Sequence, residues 1–281
     1  MSKIALITDS TSDLSKEEIK NNNIHILPLR IIYKDREYID RIDITPDEVY
    51  SNLSKEIPST SLPSMEDIDK MFIKLEKEGY THAILTCISS GISGTFNSIN
   101  IVSQNHPNII SHVFDSRSLT VGTGAIVLEC AKMIDVGNDY EEIVAKLPSI
   151  RDRIKVYYVV DTLNYLIKGG RIGKVSGTIG ELFKIKPIIS INEEGIYYTY
   201  EKVRGRNQSI SKLIDIARVL LESSRSKVWV LQGGAMVEGK ALYESILKLP
   251  NLIEADFRDI SPVMGVHTGP GLLGIVIMSE E

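Results

Sequence analysis

Short apolar runs alternating with capped helical stretches constrain the first half of this chain more than any other feature. Strand-like segments at Ile4 to Thr8, Ile26 to Tyr33, Ala83 to Ile88 and Val113 to Asp115 are separated by stretches of helical periodicity. Parallel strands need long crossovers, usually helices, so this order predicts a largely parallel sheet covered by helices. The helix starts are legible. Thr45-Pro46-Asp47-Glu48 combines a capping threonine, a proline at the first helical position and a glutamate three residues after the cap. Ser15 with Glu18, and Asp139 with Glu142, repeat that arrangement.

Past Arg153 the pattern changes to strand-like runs at Val156 to Val160, Pro187 to Ile191, Ile196 to Val203, Val228 to Leu231 and Gly274 to Met278. A Glu193-Glu194-Gly195 turn joins two of them into an antiparallel hairpin, so this second sheet is expected to be mixed. The expected fold class is α/β with two domains. Residues 1–155 would form an N-terminal Rossmann-like domain with a largely parallel sheet, and residues 156–281 a C-terminal α/β domain with a mixed sheet.

Composition narrows the class of protein. With 281 residues, 43% of them hydrophobic, the chain can build a substantial core. A formal charge of -5 lacks the basic face of a nucleic-acid binder, so no nucleic-acid partner is expected. Cys87 and Cys130 form no CxxC pair and sit in apolar stretches, which reads as two reduced core thiols. The opening MSKIALITDS runs straight into a strand-like segment, and no apolar stretch approaches a membrane span, so a cytoplasmic protein is expected. No His, Cys and carboxylate cluster has metal-ligand spacing, and no carboxylate pair stands out as a general acid and base. Neither metal nor cofactor is expected.

The richest chemistry lies in ISSGISGTF, Ile88 to Phe96, between the apolar run His82 to Cys87 and an amphipathic segment. A strand ending at a helix start frees backbone N–H groups at the positive end of that helix, and Ser89, Ser90, Ser93 and Thr95 add hydroxyl donors. The stretch holds no lysine or arginine, which favours a small singly charged group such as a carboxylate over a nucleotide triphosphate. GISGT, Gly91 to Thr95, also approaches the nucleophile elbow of acyl hydrolases, with Thr95 where that motif needs glycine. A nucleophilic Ser93 would need a base, for which His267 is the candidate, and an orienting acid that the sequence does not identify.

Other segments each carry two readings. In TSLPS, Thr60 to Ser64, Ser64 reads as a helix cap with Glu66 and Asp67 in the first turn. Thr60 and Ser61 precede the proline in extended backbone, where they either serve turn chemistry or offer hydroxyls into a cleft. HTGPGLLG, His267 to Gly274, contains GxGxxG but runs into the last strand without room for a helix, so a dinucleotide site is rejected. Its His267 is either structural or turned to a ligand. KGGRIGK, Lys168 to Lys174, lacks the spacing and hydroxyl of a P-loop; with Arg204 and Arg206 it forms either a positive patch or ordinary solvated charge. Thr8-Asp9-Ser10 and Asp115-Ser116 stand at carboxyl ends of strands, where open α/β sheets place ligand crevices, with capping as the competing role.

Taken together, TDSTSDL at Thr8 to Leu14, TSLPS, ISSGISGTF, FDSRS at Phe114 to Ser118, LIKGGRI at Leu166 to Ile172, IKPII at Ile185 to Ile189, VRG at Val203 to Gly205 and HTGPG resemble the DegV family. The eight motifs follow the family's order across nearly the whole chain. The resemblance implies a two-domain α/β protein that binds one long-chain fatty acid, such as palmitate, between its domains. It implies a lipid-carrying subunit of an ATP-dependent fatty acid kinase rather than an enzyme, with the fatty acid as ligand and peripheral membrane contact for lipid exchange. The N-terminal domain would carry the carboxylate-binding loops and the C-terminal domain would close over the acyl chain. By this resemblance Thr60, Ser61, Ser93, Gly94, Thr95 and His267 bind the fatty acid, and Arg171 and Arg204 contact the kinase or the phosphate. Leu62, Ile92 and Phe96 depart from residues common in the family, which bears on chain preference and removes no carboxylate contact.

Two further classes of function stay open on the residues. One is a Ser/His acyl hydrolase using Ser93 and His267. The other is a phosphotransferase subunit related to dihydroxyacetone kinase, for which the support is kinship of fold and a compact polar pocket with a reactive histidine would be required.

Overall fold

The computed structural model describes residues 2–181 and 185–281. Up to residue 115 the strands are β1 (Ile4–Asp9), β2 (Ile24–Leu27), β3 (Arg30–Ile32), β4 (Glu37–Ile39), β5 (Ser59–Ser61), β6 (His82–Cys87) and β7 (Ile110–Asp115). A parallel sheet runs in the order β2-β1-β6-β7. Its inner strands read as near-continuous apolar runs because helices cover both faces. On one face lies the helix Met65–Lys77, which buries Ile68, Phe72 and Leu75 at helical spacing against Ala5, Ile7 and Leu85. On the other lies the helix Val121–Asp135, buried along Val121, Ala125, Ile126 and Cys130. Cys87 and Cys130 are buried and unbonded to each other.

The later strands are β8 (Ile154–Val159), β9 (Ile188–Ile191), β10 (Tyr197–Glu201), β11 (Ser226–Gly233), β12 (Leu252–Asp259) and β13 (Leu272–Ser279). They form one mixed sheet in the order β10-β9-β8-β13-β11-β12. Only β11 with β12 is parallel; the β9–β10 hairpin is antiparallel, as the Glu193-Glu194-Gly195 turn requires. Helices Arg206–Ser223 and Met236–Ile246 cover its outer face through Leu213, Leu221, Leu242 and Ile246. Its inner face, with Val156, Tyr158, Trp229 and Val276, packs on the helix Val121–Asp135. That helix is therefore the shared layer of a sheet–helix–sheet sandwich.

A third, small sheet, β4-β3-β5, is antiparallel. The expected single run Ile26 to Tyr33 is in fact two strands, β2 and β3, belonging to different sheets. Pro28, which lacks an N–H, stands at the break, and Leu27 pairs with Asp9 while Arg30 pairs with Ser61. The third sheet buries Leu29, Ile31, Val49 and Leu53 together with Val263 and Val266 of a late helix, Pro262–Thr268. The C-terminal part of the chain thus returns to the N-terminal strands.

Candidate ligand-binding cleft

Thr60 sits in β5, opposite Ile31 of β3, where a β-branched side chain suits the pleated backbone. His267 stands near the end of the helix Pro262–Thr268. The two meet: Thr60 Oγ1 lies 2.7 Å from His267 Nε2 at the wall of a cleft of about 610 Å³ that Ile57, Ser59, Lys168 and Arg171 also line. Burial, followed by the nearby charge of Arg171, holds the His267 pKa down to about 4. The imidazole is neutral at pH 7, so it offers hydrogen bonding without a charge.

The basic turn is built by a helix ending. In LIKGGR the N–H of Arg171 bonds to Leu166 O at 2.9 Å and that of Gly170 to Ile167 O at 3.0 Å, with Gly170 at a φ of 69°. This is a Schellman ending, and only glycine adopts that φ without strain. Arg171 then turns back to donate from Nη1 to Gly169 O at 2.7 Å. Gly169 itself lies against His267 Nδ1, and any β-carbon there would overlap the ring. Nδ1 is buried and has no hydrogen-bond partner among the described residues.

The hydroxyl-rich loop after β6 is tied down from both sides. Asp9 Oδ2 accepts the N–H of Ile88 at 2.7 Å, and its Oδ1 accepts the N–H and hydroxyl of Thr11. Burial raises the Asp9 pKa, an effect these bonds oppose. Asp115 accepts the N–H and hydroxyl of Ser90 and the N–H of Arg117. Asp9 thus caps the short helix Ser10–Ser12, as the capping role foresaw, whereas Asp115 caps no described helix and ties two loops together instead. Ser89 donates to Gly195 O at 2.8 Å, so it joins the loop to the β9–β10 turn instead of facing an anion. Ser90 is likewise occupied.

Ser93 and Thr95 pair with each other at 2.8 Å. Gly94 is the N-cap of the helix Thr95–Ser103, which no side chain caps. The cleft at Thr60 does not extend to Ser93, Gly94 or Thr95, but a β-carbon at Gly94 would touch the Leu62 side chain of TSLPS. Ser61 Oγ donates to Leu62 O at 3.1 Å. Ser64 caps its helix by accepting from Asp67 N–H.

Arg204 lines a separate hollow with Glu201, Gln208 and Asp215, apart from Arg171. Lys174 pairs with Glu194 and Arg206 with Glu238, so neither adds free charge to the expected positive patch. A Ser93–His267 dyad is not assembled, because Nε2 engages Thr60 and no carboxylate among the described residues binds Nδ1. Ile57 and Val266, which complete the cleft wall, carry no signal in the sequence beyond being apolar. A second space, apolar and closed to about 10 Å³, lies among Leu119, Val156, Leu231, Met264 and Leu272 beside the shared helix. No three His, Cys, Asp or Glu side chains among the described residues cluster as metal ligands, and no described helix is long and apolar enough to cross a membrane.

Fold and cleft define a class: an α/β protein of two large sheets around a shared helix and a third small sheet, with distant segments converging on one polar cleft beside an apolar seam. The chain belongs to the DegV family, whose model, described as "Uncharacterised protein, DegV family", matches residues 3–280. A DegV domain-containing protein of Clostridium acetobutylicum is 58% identical, with 100% of both chains covered. Among solved structures, the fatty-acid-binding DegV family protein of Thermus thermophilus superposes with a TM-score of 0.92 at 29% identity, covering 99% of this chain and 100% of that one. The DegV fatty acid binding protein of Bacillus subtilis gives 0.92 at 28% identity, covering 100% of both.

Proposed function

We propose that this chain binds one long-chain fatty acid, such as palmitate, and presents its carboxylate to an ATP-dependent fatty acid kinase without breaking a bond itself. The observation that carries this reading is the contact between Thr60 and a neutral, half-buried His267 in a cleft that Arg171 flanks. A carboxylate leaving water needs replacement donors. At the cleft Thr60 would supply a hydroxyl and His267 a ring N–H; Ser61, Ser93 and Thr95, with the helix N-terminus that Gly94 opens, lie outside the cleft wall and would join it as the ligand binds. The acyl chain would run along the apolar seam beside the shared helix, whose walls stand closed to about 10 Å³ and would have to part to admit it. Each buried methylene contributes about 0.8 kcal/mol, so a chain of roughly fifteen carbons gains about 12 kcal/mol gross before ordering costs.

Relatives that bind fatty acids support the ligand class. The division at residues 1–155 and 156–281 would let the second part close over the chain. Arg171 and Arg204, both exposed, would meet the kinase or the acyl phosphate, in a cytoplasmic protein that touches membranes for lipid exchange.

Organic extraction of freshly purified protein followed by mass spectrometry should recover a fatty acid at about one equivalent. Thr60→Ala with Ser93→Ala should weaken palmitate binding, each lost charge-assisted bond costing about 1.5–3 kcal/mol. No recovered lipid and no calorimetric response to palmitate or oleate would end this reading. Kinase-dependent acyl phosphate formation that survives loss of both Arg171 and Arg204 side chains would end their assignment.

A further inference from the structure

The helix that carries His267 begins in an unusual way. Ser261 is its N-cap, and Pro262 at the first helical position has no N–H. The other N–H groups of the cap and first turn are all taken. Ser261 N–H donates to Asp13 Oδ1 at 3.0 Å, Val263 N–H to Asp40 Oδ1 at 3.0 Å, and Met264 N–H to Ser261 Oγ at 3.3 Å. Gly265 N–H then starts the internal ladder to Ser261 O at 2.9 Å. Two of the three acceptors are carboxylates more than two hundred residues earlier in the chain, 2% and 1% exposed.

A capping serine suffices to start a helix, whereas buried carboxylates are costly to hold. Asp40 is bonded through both oxygens and Asp13 through Oδ1, its Oδ2 being buried without a hydrogen-bond partner among the described residues. Asp13 Oδ1 also accepts from Arg41 Nη2 at 2.6 Å. Asp40 Oδ2 accepts the Ser10 hydroxyl at 2.6 Å, and Ser10 Oγ in turn accepts the N–H of Leu29 at 3.0 Å. Asp40 directly follows β4, while Thr60 lies in β5, and both strands flank β3. The small sheet therefore meets the helix at both ends, through Asp40 at Val263 and through Thr60 at His267. Between them Val263 and Val266 pack on Leu29 and Ile31. A seven-residue helix is about 10 Å long, so movement of its start is carried to the imidazole.

We propose that Asp13 and Asp40 are positioning residues for His267, gripping the first turn of its helix so that the ring is presented to Thr60 and to the ligand's carboxylate. This rests on the fatty-acid reading of the cleft, and the test separates the two. The charged groups around the pair are Arg41, Arg258 and Asp259, with the Tyr50 phenol beside Asp13. Around His267 they are Arg171 and, sharing its cleft, Lys55, Glu56 and Lys168.

Ligand-free protein carrying 15N-histidine reports the His267 ring by NMR, with His267→Gln identifying its signals. In Asp40→Ala the His267 titration midpoint should rise from about 4 toward the ordinary 6.5, and palmitate affinity should fall at least tenfold. Asp40→Asn keeps an oxygen for Val263 N–H and should restore both values close to wild type. A folded Asp40→Ala with a wild-type His267 titration and unchanged affinity would overturn the proposal. If Asp40→Ala fails to fold, Ser10→Ala carries the test, since it loosens Asp40 while leaving the carboxylate: an upward shift supports the grip and a wild-type curve refutes it. If His267 responds as expected but wild-type protein takes up no palmitate, the grip stands and the lipid reading falls.

Discussion

At the scale of single residues, burial decides charge in opposite directions for two groups on the same helix path. His267 is depressed to about 4, so between that value and its ordinary 6.5 the folded state binds fewer protons than the unfolded one. Its contribution to stability is present above pH 6.5 and is lost as pH falls through 4. Asp40 is raised to about 7, chiefly by burial, so between its ordinary 3.8 and 7 the folded state binds more protons. That contribution is present below pH 3.8 and is lost as pH rises through 7. Asp40→Asn lacks this loss. Relative to wild type it should gain stability as pH is raised from 5 to 8, in denaturant titrations read at several pH values. A difference from wild type that stays constant with pH would show that Asp40 does not titrate in that window.

At the scale of elements, local chemistry was legible wherever a helix start states its own partners. The boxes Ser15–Glu18, Thr45–Glu48 and Asp139–Glu142 all form reciprocally. Thr45→Ala should cost about 1 kcal/mol in chemical denaturation, because it removes the acceptor for Glu48 N–H at a fully formed box. An unchanged midpoint would show that the Glu48 half suffices. Strands were less legible where they are short or polar. β4 and β5 have three residues each, and β5, Ser-Thr-Ser, shows no apolar alternation although it carries Thr60. β12, Leu252–Asp259, lies at a sheet edge with a mixed pattern, so periodicity did not mark it. The paired roles offered for Asp9 and Asp115 were decidable only from their partners, Ile88 and Ser90.

At the scale of the whole molecule, the two large sheets share one core across the helix Val121–Asp135 and should unfold together. Trp229, the chain's one tryptophan, is buried in that shared cluster. Its fluorescence and the far-ultraviolet circular dichroism should therefore trace one coincident transition; two separated midpoints would mean that the halves melt independently. By itself the sequence determined the α/β class, the capped helices, the parallel and mixed sheets, and the polar segments from which a site is drawn. All of these follow from spacing within a few turns or one hairpin. Only the tertiary structure decided that His267 meets Thr60 across 207 positions, that Ser89 serves Gly195, and that Asp13 and Asp40 serve a helix near the far end of the chain. The physical reason is that a hydroxyl or carboxylate is equally competent toward any donor within about 3 Å, and packing alone chooses which one arrives there.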